Sequence, residues 1–406
     1  VNVRLTVNPS RFCDAHTEGS SSDDATELPH SSVSSIRCHT PLPFINHLMI
    51  AHPFEMKAFI DDLPKVELHC HLEGTLEPEH LLELATRHGV DVGYQTADQV
   101  RQAYQFGNLD SFLKLYYQGC DVLRTEQDFY ELTYRYLKRS WTDNLVHTEV
   151  FCDPQSHTHR GISFDSVLDG ITRALVDGEK DFGITGHIIV CFLRHLTEES
   201  AMITLEQTLT YRDKHDKEHR IIAVGLDSSE LNNEPSKFKQ VFAKAHAAGL
   251  LCCCHAGEEG PPSYVWSALQ DLQIHRIDHG VRCLEDDKLV QHLKESQMAL
   301  TVCPFSNFKL AVVDDLRKHP LRRMLDAGLA ASIHSDDPAY FGGYVNENYQ
   351  ATAAALELTA AHMVQLARNA IDGSFLHEAG KQALHLHLKA CCDKHSVAYN
   401  CNPLIS

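Results

Sequence analysis

Eight short apolar runs, each followed by a stretch of helical periodicity, constrain this chain more than any other feature. They are VELHCH (66–71), LVHTEVF (145–151), GHIIVCF (186–192), IIAVGLD (221–227), LLCCCHA (250–256), RIDHG (276–280), ALTVCP (299–304) and LAASIHS (329–335). Runs of this length separated by amphipathic segments indicate parallel strands joined by crossover helices. The segment EPEHLLELATRHG has Pro78 in its first turn and stops at Gly89, the expected order of helix signals. The segment DSFLKLYYQGCDVLRTEQDFYELTYRYLKRS is long enough for two or more helices after the first strand. Eight such units make a (β/α)8 TIM barrel, an α/β fold, the economical arrangement. The competitor is an open doubly wound sheet, but neither G-x-G-x-x-G nor G-x-x-x-x-G-K-[ST] occurs.

Residues 1–56 stand apart from the rest. TEGSSSDDATELPHSSVSS is polar and Ser-rich, and it cannot bury enough surface to offset its ordering entropy. Residues 1–56 therefore read as a disordered extension, 57–375 as the barrel, and 376–406 as a C-terminal helix and tail. The first residue is Val, so Met49 and Met56 are candidate starts. No charged segment precedes an apolar one as in a secretory signal, and Asp14, Glu18, Asp23, Asp24 and Glu27 argue against a transit peptide.

A formal net charge of −19 repels a phosphate backbone and argues against a nucleic-acid partner. No stretch nears the roughly 18 apolar residues of a bilayer-spanning helix, which argues against a membrane protein. The 14 cysteines fall mostly inside apolar runs, among them Cys70, Cys152, Cys191, Cys252, Cys253, Cys254 and Cys303. There a thiol packs as a small hydrophobe. Buried free thiols point to a reducing compartment, hence a cytoplasmic and, in a eukaryote, also nuclear location. Nothing in the pattern fixes an oligomeric state.

Catalytic groups of a barrel come from the C-terminal ends of its strands. Here those ends carry His69 and His71, His255, His279, and the pair Asp336–Asp337, with Glu258 three residues past His255. A His-x-His pair alone is weak: with 28 histidines, about two are expected by chance. Three occur. His157/His159 falls in the polar stretch QSHTHRG and reads as solvated. His385/His387 sits in a helical pattern, where residues two apart do not share a face. His69/His71 lies on a strand, where alternation points both imidazoles inward and Cys70 outward. His255 adds a nitrogen and Asp336 an oxygen, a donor set suited to Zn²⁺ and compatible with Fe²⁺ or Mn²⁺. Cys253 also faces inward, but one strand repeat of roughly 6–7 Å below His255, and reads as barrel filling.

A catalytic metal brings the pKa of a bound water toward about 7, and attack on an unsaturated carbon then needs an acid and a base. Glu258 and His279 are placed for that work. Each residue also has a bland reading, such as Asp336-Asp337-Pro338 as a helix cap or turn. Several acidic and imidazole groups together at strand ends are harder to assign to chance. Other designs are missing: no G-x-S-x-G elbow, no C-x-x-C, and no zinc-deaminase pairing of H-x-E with P-C-x-x-C.

LPKVELHCHLEGTLEPEHLL, HAGEEGPPSYVW, RIDHGVRCLED, LTVCPFSN and SDDPAYFGGYV together resemble the adenosine/adenine deaminase family of the amidohydrolase superfamily. The similarity runs from about Leu63 to Phe375, in family order and spacing. It implies one metal ion held by His69, His71, His255 and Asp336. It also implies Glu258 as proton donor to purine N1, His279 orienting the attacking water, and Asp337 accepting a hydrogen bond at purine N7. Binuclear relatives often carry a bridging carboxylated lysine on the fourth strand, and IIAVGLDSSE has none.

The resemblance is nearer the adenine than the adenosine branch. Adenosine deaminases usually have Asp where this chain has Glu73, helping to bind the ribose; one more methylene would crowd the sugar and favour the free base. His334 stands where Asn is usual, and Ser228 where a glycine contacts purine N3. The expected reaction is metal-dependent hydrolysis of adenine to hypoxanthine and ammonia, in purine salvage. The alternatives are deamination of adenosine or another 6-substituted purine, and, in a different class, a catalytically silent purine-binding protein.

Overall fold

The computed structural model describes residues 53–399. The expected extension lies outside the described residues up to position 52. Residues 53–56, expected to belong to it, instead open the helix Pro53–Asp62.

Each of the eight apolar runs carries a strand: β1 Lys65–Glu67, β2 Leu145–Cys152, β3 Thr185–Leu193, β4 Ile221–Asp227, β5 Leu251–Ala256, β6 Arg276–His279, β7 Ala299–Val302 and β8 Ala330–Ile333. They form one parallel sheet in sequence order. The helix Pro78–His88 ends on Gly89 at φ 63°, a left-handed cap that suits glycine. Helices Leu109–Cys120 and Glu126–Trp141 fill the long connection after β1, each opened by a capping box, Asn108 with Ser111 and Thr125 with Asp128.

Strand alternation sorts the core into two clusters. Phe151, Ile189, Cys191, Ala223 and Cys253 pack together on the inner face of the sheet. Val150, Cys152, Ile188, Val190, Cys252 and Cys254 join the larger cluster shared with the helices. Cys253 is thus interior filling and Cys70 packs outward, as alternation predicts.

The first strand departs from the expected run 66–71. Its ladder stops at Glu67, and pairing resumes only as isolated bridges, Cys70 to Asp336 and His71 to Phe151. Side chains close the seam between β8 and β1 instead. The Leu68 N–H donates to Nδ1 of His334 at 3.1 Å, and the Ser335 N–H donates to Glu67 Oε1 at 3.0 Å. Backbone bonds from Asp336 N to His69 O and from His71 N to Asp336 O, both 3.0 Å, complete the closure. His334 is therefore structural. Its Nδ1 satisfies a buried amide that the interrupted ladder leaves unpaired, and its Nε2 lies 2.7 Å from Ser332 Oγ. Among the described residues, no helix is long and apolar enough to cross a membrane.

Candidate metal centre

All seven candidate residues gather at the C-terminal ends of the strands, and all are buried. Nε2 of His69 and Nε2 of His71 each lie 3.4 Å from Asp336 Oδ1, and Nε2 of His71 lies 3.2 Å from Nε2 of His255. These edges match a tetrahedron whose donors stand about 2.0–2.1 Å from a shared centre, the arm length of a zinc–nitrogen bond. A second test agrees. Nε2 of His69 is buried with no hydrogen-bond partner, and two imidazole nitrogens facing each other repel unless a cation or proton lies between them. The donor set of three imidazoles and a carboxylate therefore fits a metal ion.

The backbone accepts strain to build this arrangement. Asp336 and His279, both at φ 64°, and Ser228 at φ 74° adopt the left-handed region, which costs a non-glycine residue about 1–3 kcal/mol. His279 Nε2 then stands 3.6 Å from Asp336 Oδ2 and 3.6 Å from Glu258 Oε2. It bridges the cage and the acid.

Burial, then the neighbouring imidazoles, holds His255 well below its usual range, and burial followed by His69 brings His279 down to about 3. Burial thus favours the neutral imidazole in both, the form that a ligand and a proton acceptor need. Burial alone would raise Asp336, but His69, His279 and His71 outweigh it and hold the carboxyl well below its ordinary value. Glu258 goes the other way: burial, then the charge of Asp336, pushes it well above the usual carboxylate range. Burial and Asp336 raise Asp337 likewise. Burial thus favours the protonated form of Glu258 and Asp337 beside an Asp336 held in its charged form, the separation of acid and base that hydrolysis needs.

Above the cage lies a pocket walled by Phe112, Tyr116, Leu310 and Phe341, with Glu258, Asp337 and Ser228 on its lining. The helix Leu109–Cys120 supplies much of that wall, and Tyr117 on it lies 2.8 Å from Ser228 Oγ. His195 Nδ1 approaches the same hydroxyl at 2.7 Å. Both contacts take up the Ser228 side chain.

His157 is not solvated. The short helix Gln155–Thr158 turns it inward, fully buried, with Nε2 at 2.8 Å from Glu73 Oε1; His159 alone of that pair is exposed. His385 bonds Asp372 at 2.7 Å, on the helix Glu378–Lys394 and apart from the cage. Sequence reasoning passed over Glu230. Its carboxylate accepts from four consecutive backbone N–H groups, those of Gly257, Glu258, Glu259 and Gly260, at 2.7–3.1 Å. It fixes the loop that presents Glu258. The available signal was an acidic residue just beyond the end of β4.

The adenosine deaminase family profile matches residues 64–390. The chain belongs to the adenosine deaminase family. A family relative, the adenine deaminase of Vibrio parahaemolyticus, is 54% identical over 321 residues, 79% of this chain and 94% of that protein. The crystal structure of an adenine deaminase from Arthrobacter aurescens has a TM-score of 0.79 at 44% identity, covering 82% of this chain and 99% of that one. An amidohydrolase from Burkholderia ambifaria, solved with bound zinc, has a TM-score of 0.77 at 25% identity over 86% of this chain and 97% of its own. The shared fold is that of an eight-stranded α/β barrel.

Proposed function

We propose that the chain hydrolyses adenine to hypoxanthine and ammonia, replacing the C6 amino group by oxygen. The observation that carries this reading is Glu258 and Asp336 each 3.6 Å from His279 at one metal cage, in a chain 54% identical to an adenine deaminase over most of its length.

His69, His71, His255 and Asp336 would hold one Zn²⁺, the ion bound by the Burkholderia relative. The metal, when bound, supplies a nucleophile at neutral pH by acidifying water. Burial and the charge of Asp336 favour the protonated form of Glu258, which stands to pass its proton to purine N1 as C6 is attacked. His279 is neutral and within reach of both Glu258 and Asp336, so it orients the water and accepts its proton. Burial and Asp336 favour the protonated form of Asp337 as well, and in that form it would donate to a bare purine N7, the reverse of the sense the resemblance implies. The apolar wall of Phe112, Leu310 and Phe341 suits a flat heteroaromatic base. The eleven described cysteines are all free and buried, which fits a reducing cytoplasm.

The test is ultraviolet monitoring of the purified chain with adenine, adenosine and isoguanine, with elemental analysis of the same protein. Fast conversion of adenine with about one zinc per chain is expected. Faster turnover of adenosine overturns the substrate assignment. Purine uptake without ammonia release overturns the reaction.

A further inference from the structure

Below the cage, one carboxylate faces two of its imidazoles. Asp278 on β6 is fully buried. Thr301 on β7 has a single hydroxyl hydrogen and donates it to Asp278 Oδ1 at 3.0 Å. The 2.8 Å contact between Thr301 Oγ1 and His69 Nδ1 must then be an N–H···O bond with the imidazole as donor. That fixes the tautomer of His69: Nδ1 carries the proton, and Nε2 keeps its lone pair facing Asp336. The second oxygen, Asp278 Oδ2, lies 3.8 Å from His255 Nδ1, and neither buried atom has a hydrogen-bond partner. Turning the His255 ring by about 1 Å closes that gap to a charge-assisted bond. Arg276 stands behind the carboxylate, with Nε 3.4 Å from Oδ1, and is itself held by Glu149 and by the Leu68 carbonyl.

We propose that Asp278 and Thr301 are positioning residues for the metal. They set the tautomer and aim of His69 through the Thr301 hydroxyl, and of His255 through the second carboxylate oxygen. One buried acid thereby coordinates the readiness of ligands from two separate strands. Without it, each imidazole is free to turn its proton toward the cage.

The inference rests on the ligand set proposed above, and the experiment separates the two. Zinc affinity of the full chain is measured by equilibrium competition with a chromophoric chelator, for wild type, Thr301→Val, Thr301→Ser and Asp278→Asn. Valine keeps the shape of threonine but lacks the hydroxyl; serine keeps the hydroxyl but loses a methyl group. The loss of an outer partner typically weakens metal binding about 10–100-fold, so T301V is expected in that range, T301S near wild type, and D278N, with one acceptor oxygen left for Thr301 and His255, about tenfold weaker. A purely packing role would reverse the order of valine and serine. Wild-type affinity in T301V, or T301S as weak as T301V, overturns the relay through Thr301. Wild-type affinity in D278N overturns the part of Asp278. A wild-type chain that takes up no zinc sinks the ligand set instead.

Discussion

Glu73 and His157 meet in a buried contact of 2.8 Å between Oε1 and Nε2, and Arg160 closes on the other imidazole nitrogen at 2.9 Å. A guanidinium can only donate, so Nδ1 is the acceptor and Nε2–H donates to Glu73. The Asp153 N–H donates to the same oxygen at 3.2 Å. Burial would raise the Glu73 carboxyl, but His157 outweighs it and holds the group below its usual range. Glu73 is therefore a buried charge fixed by His157 and the Asp153 amide.

Glu73→Asp withdraws that carboxylate by one methylene and breaks the bond to His157. A charge-assisted hydrogen bond is worth about 1.5–3 kcal/mol, and a loss of that order in stability is expected. The ratio of kcat/KM for adenosine to that for adenine should rise by about tenfold or more, a 1.4 kcal/mol change in discrimination. Steady-state kinetics on both substrates check this. An unchanged ratio removes Glu73 from substrate choice.

Glu258→Gln keeps the size and the cage but removes the transferable proton. Turnover should fall by about 10²–10⁴-fold, the usual worth of general acid–base catalysis, with metal content unchanged. His69→Ala should lose metal and activity together. Elemental analysis beside the kinetics distinguishes the two losses, and an active E258Q removes Glu258 from the acid role.

The pH profile carries its own sign. The folded pKa of Glu258 is raised well above its ordinary value, by burial first and then by Asp336. The acid is competent below that folded pKa and loses its proton as pH rises through it. On the alkaline side kcat/KM should therefore fall by about tenfold per pH unit. A rate that climbs steadily with pH would contradict a protonated Glu258.

The strand ends were legible because alternation is local. His69 and His71 share a face two residues apart, and seven of the eight runs end within two residues of their strands, β1 being the exception. What the sequence hides is long-range satisfaction of polar groups. His157 reads as solvated in QSHTHRG because its partner Glu73 lies 84 positions away. His334 reads as a departure from an asparagine because the amide it satisfies belongs to Leu68, 266 positions earlier. The break in β1 is invisible for the same reason. No local periodicity reports that a side chain replaces a ladder bond.

Glu230 makes such a hidden contact testable. Its two oxygens accept four backbone N–H groups of the loop bearing Glu258. In Glu230→Gln an amide nitrogen replaces one acceptor and faces donors. Leaving buried N–H groups unpaired costs about 1–3 kcal/mol, so thermal unfolding should shift downward by that equivalent. Because Glu258 moves with the loop while His255 precedes it on β5, kcat should drop with zinc content preserved. Loss of zinc in step with activity would place the defect in the cage.

Gly74 lies against Asp337, the other carboxyl that burial raises. A Cβ at this position would fall 2.0 Å from Asp337 Oδ1 and 2.8 Å from the Asp337 Cα, so alanine cannot enter unless the backbone or Asp337 moves. Overpacking of this kind costs about 1–3 kcal/mol. Displacing Asp337 should also spoil its contact with purine N7. Gly74→Ala is therefore expected to raise KM for adenine and lower kcat, while His69, His71 and His255 retain zinc. The informative comparison is with 7-deazaadenine, which has a carbon at that position and cannot accept the proton. If Asp337 acts at N7, the wild type should discriminate against this analogue, and G74A should discriminate much less. Equal discrimination by both proteins would mean that Asp337 does not read that edge of the base.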